Sequence, residues 1–168
     1  MKYIFVEGFD DNNFVSEIIK DKDDIKIIQY AEKKKEKIEG MIATFDKMND
    51  DYIFLADLDE KREEIRRKEI MKKFKNINCE KIYFSIQEIE SWYIAAISDN
   101  NKNKYKVKNK ILLNTENITK EKFENIFRNR RGTTLEIKLD ILSELNLKKA
   151  KSRNNSLKLF LENALELF

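Results

Sequence analysis

The 168-residue sequence predicts an α/β fold: a mostly parallel central sheet of about four strands, flanked by helices and followed by a helical C-terminal extension. Over the first hundred residues, short apolar runs alternate with longer amphipathic segments, which is typical of strand–helix–strand units. Beyond residue 101 only helical periodicity remains, with Phe123 and Phe127 spaced four residues apart. We therefore expect residues 1–100 to form the α/β core and residues 101–168 to form a basic helical part packed on it.

The first two strands and the helix between them are marked by their composition. Residues 3–6 are an apolar run of strand-forming residues that stops at an acidic residue and Gly8, a pattern typical of a buried strand that ends in a turn. Residues 11–19 place apolar side chains at helical spacing after three polar residues suited to capping a helix. Residues 25–28 are predicted to form the second strand.

The remaining core elements follow the same alternation. A long charged helix is predicted over residues 31–48, and a wholly apolar third strand over residues 52–56. A second charged helix is predicted over 61–75, a fourth strand over 81–86 and a short helix over 91–97. Four strands separated by helices predict parallel pairing, because parallel strands need crossover connections of about this length.

Three scarcities exclude whole classes of site. The chain has no His, one Cys and three Gly. Without His there is no Ser–His–Asp triad and no His-ligated zinc, and so few Gly leave neither a P-loop nor a dinucleotide fingerprint. A lone Cys79 excludes a disulfide framework and favours a reducing compartment, so we expect a cytoplasmic protein. No apolar run approaches the ~20 residues of a membrane span, so we expect no membrane partner.

The charge is distributed unevenly along the chain. Residues 101–168 hold 16 Lys and Arg against 8 Asp and Glu, whereas residues 1–100 hold 18 against 23. Such an asymmetry fits a protein that holds cations in one region and binds phosphates in another. Arg128, Arg130 and Arg131 are predicted to bind nucleic-acid phosphates. The alternative is a solvated cationic surface, with these arginines at a helix end where they suit the dipole.

Acidic residues accumulate where predicted strands end. Glu7 follows the first strand, Asp57 and Asp59 follow the third, and Glu88 and Glu90 follow the fourth. In a parallel sheet these ends lie on one edge, where ligands bind in open α/β folds. Converging carboxylates repel one another unless cations neutralise them, and oxygen ligands suit Mg²⁺ or Mn²⁺. The alternative is that these acids are helix caps.

The acidic motifs resemble those of Toprim domains, the metal-binding α/β modules of topoisomerases, primases and several nucleases. Toprim domains place a Glu after the first strand and an Asp-x-Asp after the third, which corresponds here to Val6-Glu7-Gly8 and Asp57-Leu58-Asp59. Within this group, the chain more closely resembles small stand-alone Toprim-like proteins and the related Toprim part of OLD-family nucleases. Their first motif has a second acidic position, which Asp11 occupies here with Asp in place of Glu. Their acidic-x-small-Trp pattern and their C-terminal pattern are similar to residues 88–93 and 138–160.

This resemblance implies a Mg²⁺- or Mn²⁺-dependent phosphoryl-transfer enzyme, most simply a nuclease that cleaves DNA or RNA. Two metal ions would act on opposite sides of the phosphate, and Glu7 is alternatively a general acid or base. Lys138 is expected to stabilise charge on the transferred group. The predicted catalytic residues are Glu7, Asp57, Asp59 and Lys138, and the predicted metal ligands are Glu7, Asp11, Asp57, Asp59, Glu88 and Glu90.

Several alternative functions remain open from the sequence. A HAD-like phosphatase also has Asp-x-Asp after an apolar strand, although that motif then continues with Thr or Val rather than Glu60-Lys61. A receiver-type domain fits the acids in part, but not the basic C-terminal part. A non-catalytic Toprim-like subunit of a defence or repair complex, working with a partner ATPase, is a further alternative, and the oligomeric state is left open between monomer and homodimer.

Overall fold

The structure is a computed structural model that describes residues 1–165, so residues 166–168 of the predicted C-terminal part lie outside it. The chain divides into two compact units. Among the described residues, the first comprises Met1–Phe84 with Ala164 and Leu165, and the second comprises Ser85–Asn163. Within residues 1–165, no helix combines the length and the apolar character needed to cross a membrane.

The first unit alternates strands and helices and then leads into a fourth strand. Its elements are β1 (Lys2–Val6), α1 (Phe9–Ile18), β2 (Ile25–Gln29), α2 (Lys35–Met48), β3 (Asp51–Asp57), α3 (Glu63–Lys73) and β4 (Ile82–Ser85). The strands form a parallel sheet in the order β2-β1-β3-β4. The predicted α/β class, with about four parallel strands flanked by helices, is therefore confirmed.

Helix α2 begins at Lys35, four residues after the predicted start. The backbone explains the difference. The N–H groups of Tyr30 and Ala31 donate to the carbonyl oxygens of Val6 and Glu7, at 2.9 and 3.2 Å, so the pairing of β2 with β1 continues past the last strand residues. Residues that continue the ladder have an extended backbone, so they cannot also adopt the helical dihedral angles of a first turn.

Strand register brings the carboxyl ends of β1 and β3 together. The two strands pair in parallel, with Phe5 opposite Phe54, and both side chains are fully buried. Their rings stack 5.6 Å apart within an aromatic cluster that fills the space between the sheet and its helices. Because adjacent strands lie ~4.8 Å apart, residues just beyond these strands become neighbours.

The second unit is helical. Its elements are α4 (Glu90–Ala96), α5 (Asp99–Tyr105), α6 (Asn109–Leu112), α7 (Lys120–Phe127), α8 (Thr134–Ser143), α9 (Leu147–Arg153) and α10 (Asn155–Leu159), followed by a π-helical turn at Phe160–Ala164. All seven residues of α4 are buried, and α4 contacts α7, α8 and α9. The division between the two units falls between Phe84 and Ser85, so α4 belongs to the same unit as the helices that follow it.

Asp140 on α8 joins two helices of this second unit. Its carboxylate accepts hydrogen bonds from the Tyr105 hydroxyl at 2.7 Å and the Lys104 ammonium at 2.8 Å. Burial acts to raise the pKa of Asp140, but these two donors outweigh it and the pKa lies below the ordinary value.

We expect Asp140→Asn to destabilise the protein by about 1 kcal/mol at neutral pH, because the charged acceptor is lost. A carboxyl group with a lowered folded-state pKa stabilises the fold above the unfolded pKa of about 3.9 and loses this effect as the pH falls through the folded pKa. Urea unfolding of variant and wild type at pH 7 and pH 3 therefore tests whether the ionised Asp140 carboxylate stabilises the fold. A stability difference between variant and wild type that persists unchanged at pH 3 would contradict it.

Candidate active site at the carboxyl ends of β1 and β3

The turn after β1 holds the first predicted acids. Glu7 follows the last residue of the strand, and Gly8 caps the start of α1 in an extended conformation. Asp11, only 5% exposed, accepts a hydrogen bond from the Gly8 backbone N–H at 3.1 Å. Asp11 therefore fixes the strand-to-helix turn from which the Glu7 side chain projects.

A guanidinium group that the sequence motifs did not include lies among the strand-end acids. Arg66 of α3 donates from Nε to the Asp57 carbonyl oxygen at 2.9 Å. Its Nη2 lies 3.9 Å from Glu7 Oε2 and 3.7 Å from Asp59 Oδ2. Its Nη1 lies 3.5 Å from Glu69 on the same helix. The Arg66 side chain thus contacts groups at the ends of both β1 and β3, and its positive charge offsets the repulsion between their carboxylates.

The Asp57-Leu58-Asp59 segment is not extended throughout. Strand β3 ends at Asp57, and Asp59 has a φ of 55°, in the left-handed region that non-Gly residues seldom adopt. An extended backbone would direct the side chains of Asp57 and Asp59 to the same side, but the left-handed conformation of Asp59 interrupts that pattern. The turn nevertheless brings the Asp59 carboxylate to Arg66. Such conformations cost about 1–3 kcal/mol and cluster at functional sites.

Tyr30, at the end of β2, orients Glu7. Its hydroxyl donates to Glu7 Oε2 at 3.1 Å, and its buried ring stacks on Phe54 with the ring centroids 4.3 Å apart. Burial raises the pKa of Tyr30 well above its ordinary value, and the nearby Glu7 carboxylate raises it further. Tyr30 is therefore a neutral hydrogen-bond donor at physiological pH.

A cleft of about 210 Å³ opens beside these groups. It combines two carboxylates and two cations with an apolar wall, so it offers both proton-accepting and phosphate-binding groups. Lys73 lies at the wall, with its ammonium 6.0 Å from the centroid of the Tyr30 ring. The lining residues are Glu7, Tyr30, Arg66, Glu69, Ile70, Lys73 and Phe74.

The donor atoms at this edge are of the type that Mg²⁺ and Mn²⁺ prefer. Glu7 and Asp59 offer carboxylate oxygens, and their side chains are 41% and 47% exposed, so an incoming ion can reach them. In the part of the chain that the structure describes, however, no three His, Cys, Asp or Glu side chains are arranged to hold a metal ion. The ligand chemistry fits, but Arg66 occupies the space between the carboxylates. A cation would compete with it.

The remaining predicted acids and Lys138 belong to the second unit. Glu90 and Lys138 form a buried ion pair, with Lys138 Nζ 2.7 Å from Glu90 Oε1 and side-chain exposures of 5% and 1%. The ammonium also lies 5.2 and 5.3 Å from the ring centroids of Tyr93 and Phe123. The Glu90 charge is thus balanced inside the unit without a metal ion.

Glu88 is held by a different contact. Its carboxylate accepts a hydrogen bond from the backbone N–H of Lys120, at the start of α7. An acid at a helix start interacts favourably with the macrodipole, as expected of a capping residue. The roles of Glu88 and Glu90 as metal ligands stay predictions.

The predicted phosphate-binding arginines lie just after α7. Arg128 and Arg131 are exposed, and the Arg130 backbone N–H donates to the Phe127 carbonyl oxygen at 2.8 Å, which closes the last turn. Exposed guanidinium groups at a helix end can contact phosphates and equally suit the helix dipole. Their role in nucleic-acid binding stays a prediction.

Comparisons of the chain with models of known families, with curated proteins and with solved structures found no match. The Toprim resemblance therefore rests on the short acidic motifs and on a compatible fold class. It stays a prediction about family.

Proposed function

We propose that the protein is a cytoplasmic, divalent-metal-dependent phosphodiester hydrolase that cleaves nucleic acid at the carboxyl ends of β1 and β3. One observation carries the proposal: Glu7, Asp59 and the Asp57 carbonyl converge on one guanidinium group at the edge of a parallel sheet. This edge is where open α/β folds bind ligands. The charged cleft beside it offers groups for both a nucleophile and a phosphate.

Each side chain has a role that follows from its contacts. Glu7, Asp57 and Asp59 would hold Mg²⁺ or Mn²⁺, and the ion would supply positive charge for the phosphate and for activation of a water molecule. Tyr30 holds the Glu7 carboxylate through its hydroxyl, so that Glu7 can accept a proton in a fixed orientation. Arg66 and Lys73 line the same cleft and bind phosphate oxygens. Asp57 and Asp59 contribute the other carboxylates.

The proposal is tested by incubating the purified protein with labelled single- and double-stranded DNA and RNA. We expect strand cleavage with Mn²⁺ or Mg²⁺ and none with EDTA. Binding of nucleic acid without cleavage under every metal condition would instead favour the non-catalytic subunit, and adding a partner ATPase would then be the next experiment. Hydrolysis of a small phosphate ester alone would favour the phosphatase.

The position of Arg66 predicts competition between this side chain and a metal ion. We expect Arg66→Gln to bind Mn²⁺ about tenfold more tightly than wild type, because a positive charge beside two carboxylates is removed. We also expect the metal-free variant to melt at a lower temperature, because the carboxylates are no longer compensated.

Calorimetric titration with Mn²⁺ and thermal melts with and without metal measure both effects. Lys72→Gln is the matched control, since it removes one charge from an exposed position on the same helix. An Arg66→Gln affinity equal to that of the control would refute competition. The absence of any metal-dependent stabilisation in wild type and variant would refute the metal site itself.

A further inference from the structure

The second unit contains a cleft that is larger than the one beside Glu7. No residue of the acidic motifs lines it. It encloses about 510 Å³ at the junction of α9 and α10. Four of its ten lining residues are Lys or Arg, and one is acidic. The cations are Lys148, Lys151, Arg153 and Lys158. We call this cleft, with these four cations, the basic groove.

Several charged side chains of the basic groove, including its one acid, already have partners within the unit. Glu116 accepts a hydrogen bond from the Ser156 backbone N–H at 2.9 Å. Lys151 pairs with Glu162 at 3.0 Å, and Arg153 donates to the carbonyl oxygens that end α4. Lys148 and Lys158 are exposed, and among residues 1–165 neither has an ion-pair partner. Among the described residues, the groove therefore presents two ammonium groups without an ion-pair partner.

A buried amide holds the floor of the basic groove rigid. Asn154, between α9 and α10, is 1% exposed, and its Nδ2 donates to Ser91 Oγ at 3.3 Å and Thr115 Oγ1 at 3.0 Å. Its Oδ1 accepts from the Leu157 N–H at 2.8 Å, which caps α10. With all these groups satisfied, the angle between α9 and α10 is fixed. The backbone positions that carry Lys148 and Lys158 are therefore held relative to each other.

An exposed apolar side chain completes the groove. Leu113 at its rim is 78% exposed, and Asn114 and Asn155 also line it. Cations combined with an apolar contact and neutral amides suit a ligand in which charged groups alternate with apolar faces and hydrogen-bonding edges. A nucleic-acid strand with unpaired bases has this character. An acidic peptide offers mainly carboxylates.

We propose that the basic groove binds the backbone of a single nucleic-acid strand, with Lys148 and Lys158 contacting phosphates and Leu113 contacting a base. This inference rests on the proposed function for the identity of the substrate, because it names the strand that the hydrolase would hold. It assigns a strand-binding role to residues outside the arginine cluster after α7.

The test measures binding without catalysis. Fluorescence anisotropy of labelled 20-nucleotide oligo(dT) and oligo(U) in EDTA compares wild type with Lys148→Glu/Lys158→Glu over a series of salt concentrations. We expect the affinity of the variant to be lower by a factor of at least about ten. The slope of the logarithm of the binding constant against the logarithm of salt concentration should become shallower by roughly 0.7 for each phosphate that the variant no longer binds. The matched control is Lys37→Glu/Lys47→Glu, which makes the same charge change at exposed positions of α2. Thermal melts verify that both variants are folded.

Each outcome decides between the alternatives. Wild-type affinity in the groove variant, or no binding by the wild type, overturns the groove proposal. Competition by polyglutamate as strong as that by unlabelled oligonucleotide also overturns it, in favour of an acidic protein partner. Groove-dependent binding without metal-dependent cleavage supports the groove and refutes the hydrolase. Metal-dependent cleavage with groove-independent binding supports the hydrolase and refutes the groove.

Discussion

Replacing Lys138 with Met is expected to destabilise the second unit by about 3–5 kcal/mol, because it leaves the buried carboxylate of Glu90 without its partner. The pair lies 2.7 Å apart and is almost completely excluded from solvent. The variant also loses the interactions of the ammonium with the rings of Tyr93 and Phe123.

The measurement has a built-in probe. The chain has a single Trp, and Trp92 is fully buried in the same unit, with its Nε1 donating to Ser156 Oγ at 2.9 Å. Urea unfolding followed by Trp fluorescence therefore reports on this unit. Lys110→Met, at an exposed position of α6, is the matched control and should change stability by less than about 0.5 kcal/mol. If Lys138→Met lowers the free energy of unfolding no more than the control does, Lys138 does not stabilise the unit by compensating the Glu90 charge.

The double variant Glu90→Met/Lys138→Met separates structure from catalysis. Two apolar side chains of similar volume remove both buried charges, so we expect its stability to return towards that of wild type. The sequence predicted a catalytic role for Lys138. If the folded double variant retains cleavage, both Lys138 and Glu90 are purely structural. If it is folded but inactive, the predicted catalytic role of Lys138 and the predicted metal-ligand role of Glu90 both stand.

Replacing Glu7 with Gln is expected to reduce metal-dependent cleavage by about 10²–10⁴-fold, because the amide can neither accept a proton as a general base nor ligate a cation as a carboxylate does. The substitution preserves size, and the side-chain oxygen can still accept the Tyr30 hydrogen bond. Stability should therefore change little. Gel-based cleavage assays under saturating Mn²⁺ measure the loss.

The control for this variant is Glu80→Gln, which makes the same chemical change at an exposed position in the short turn before β4. It should cleave at the wild-type rate. Binding of nucleic acid in EDTA should be unchanged or tighter for Glu7→Gln, because the variant loses a negative charge. Equal cleavage rates for Glu7→Gln and Glu80→Gln would show that Glu7 has no role in catalysis. They would also refute the proposal that the active site lies at the carboxyl ends of β1 and β3.

Much of the fold was predictable because local sequence controls it. Residues 52–56 are all apolar and become the buried centre of β3, and the helices between successive strands allow parallel crossovers. The acids after these strands were expected at one edge of the sheet, and it is the pairing of β1 with β3 that places Glu7 and Asp57 at the ends of neighbouring strands.

The tertiary structure decided what surrounds those acids. Arg66 lies on a helix whose charged face has no distinctive motif, and only the packing of α3 against the sheet brings its guanidinium to Glu7 and Asp59. Tyr30 likewise reaches Glu7 across 23 positions of sequence. The burial of Lys138 depends on α4 and α7 together with its own helix, so its sequence neighbours could not reveal it. Hydrophobic periodicity and the positions of strand ends depend on residues that are close in sequence. Charge compensation depends on side chains that folding brings together from distant positions.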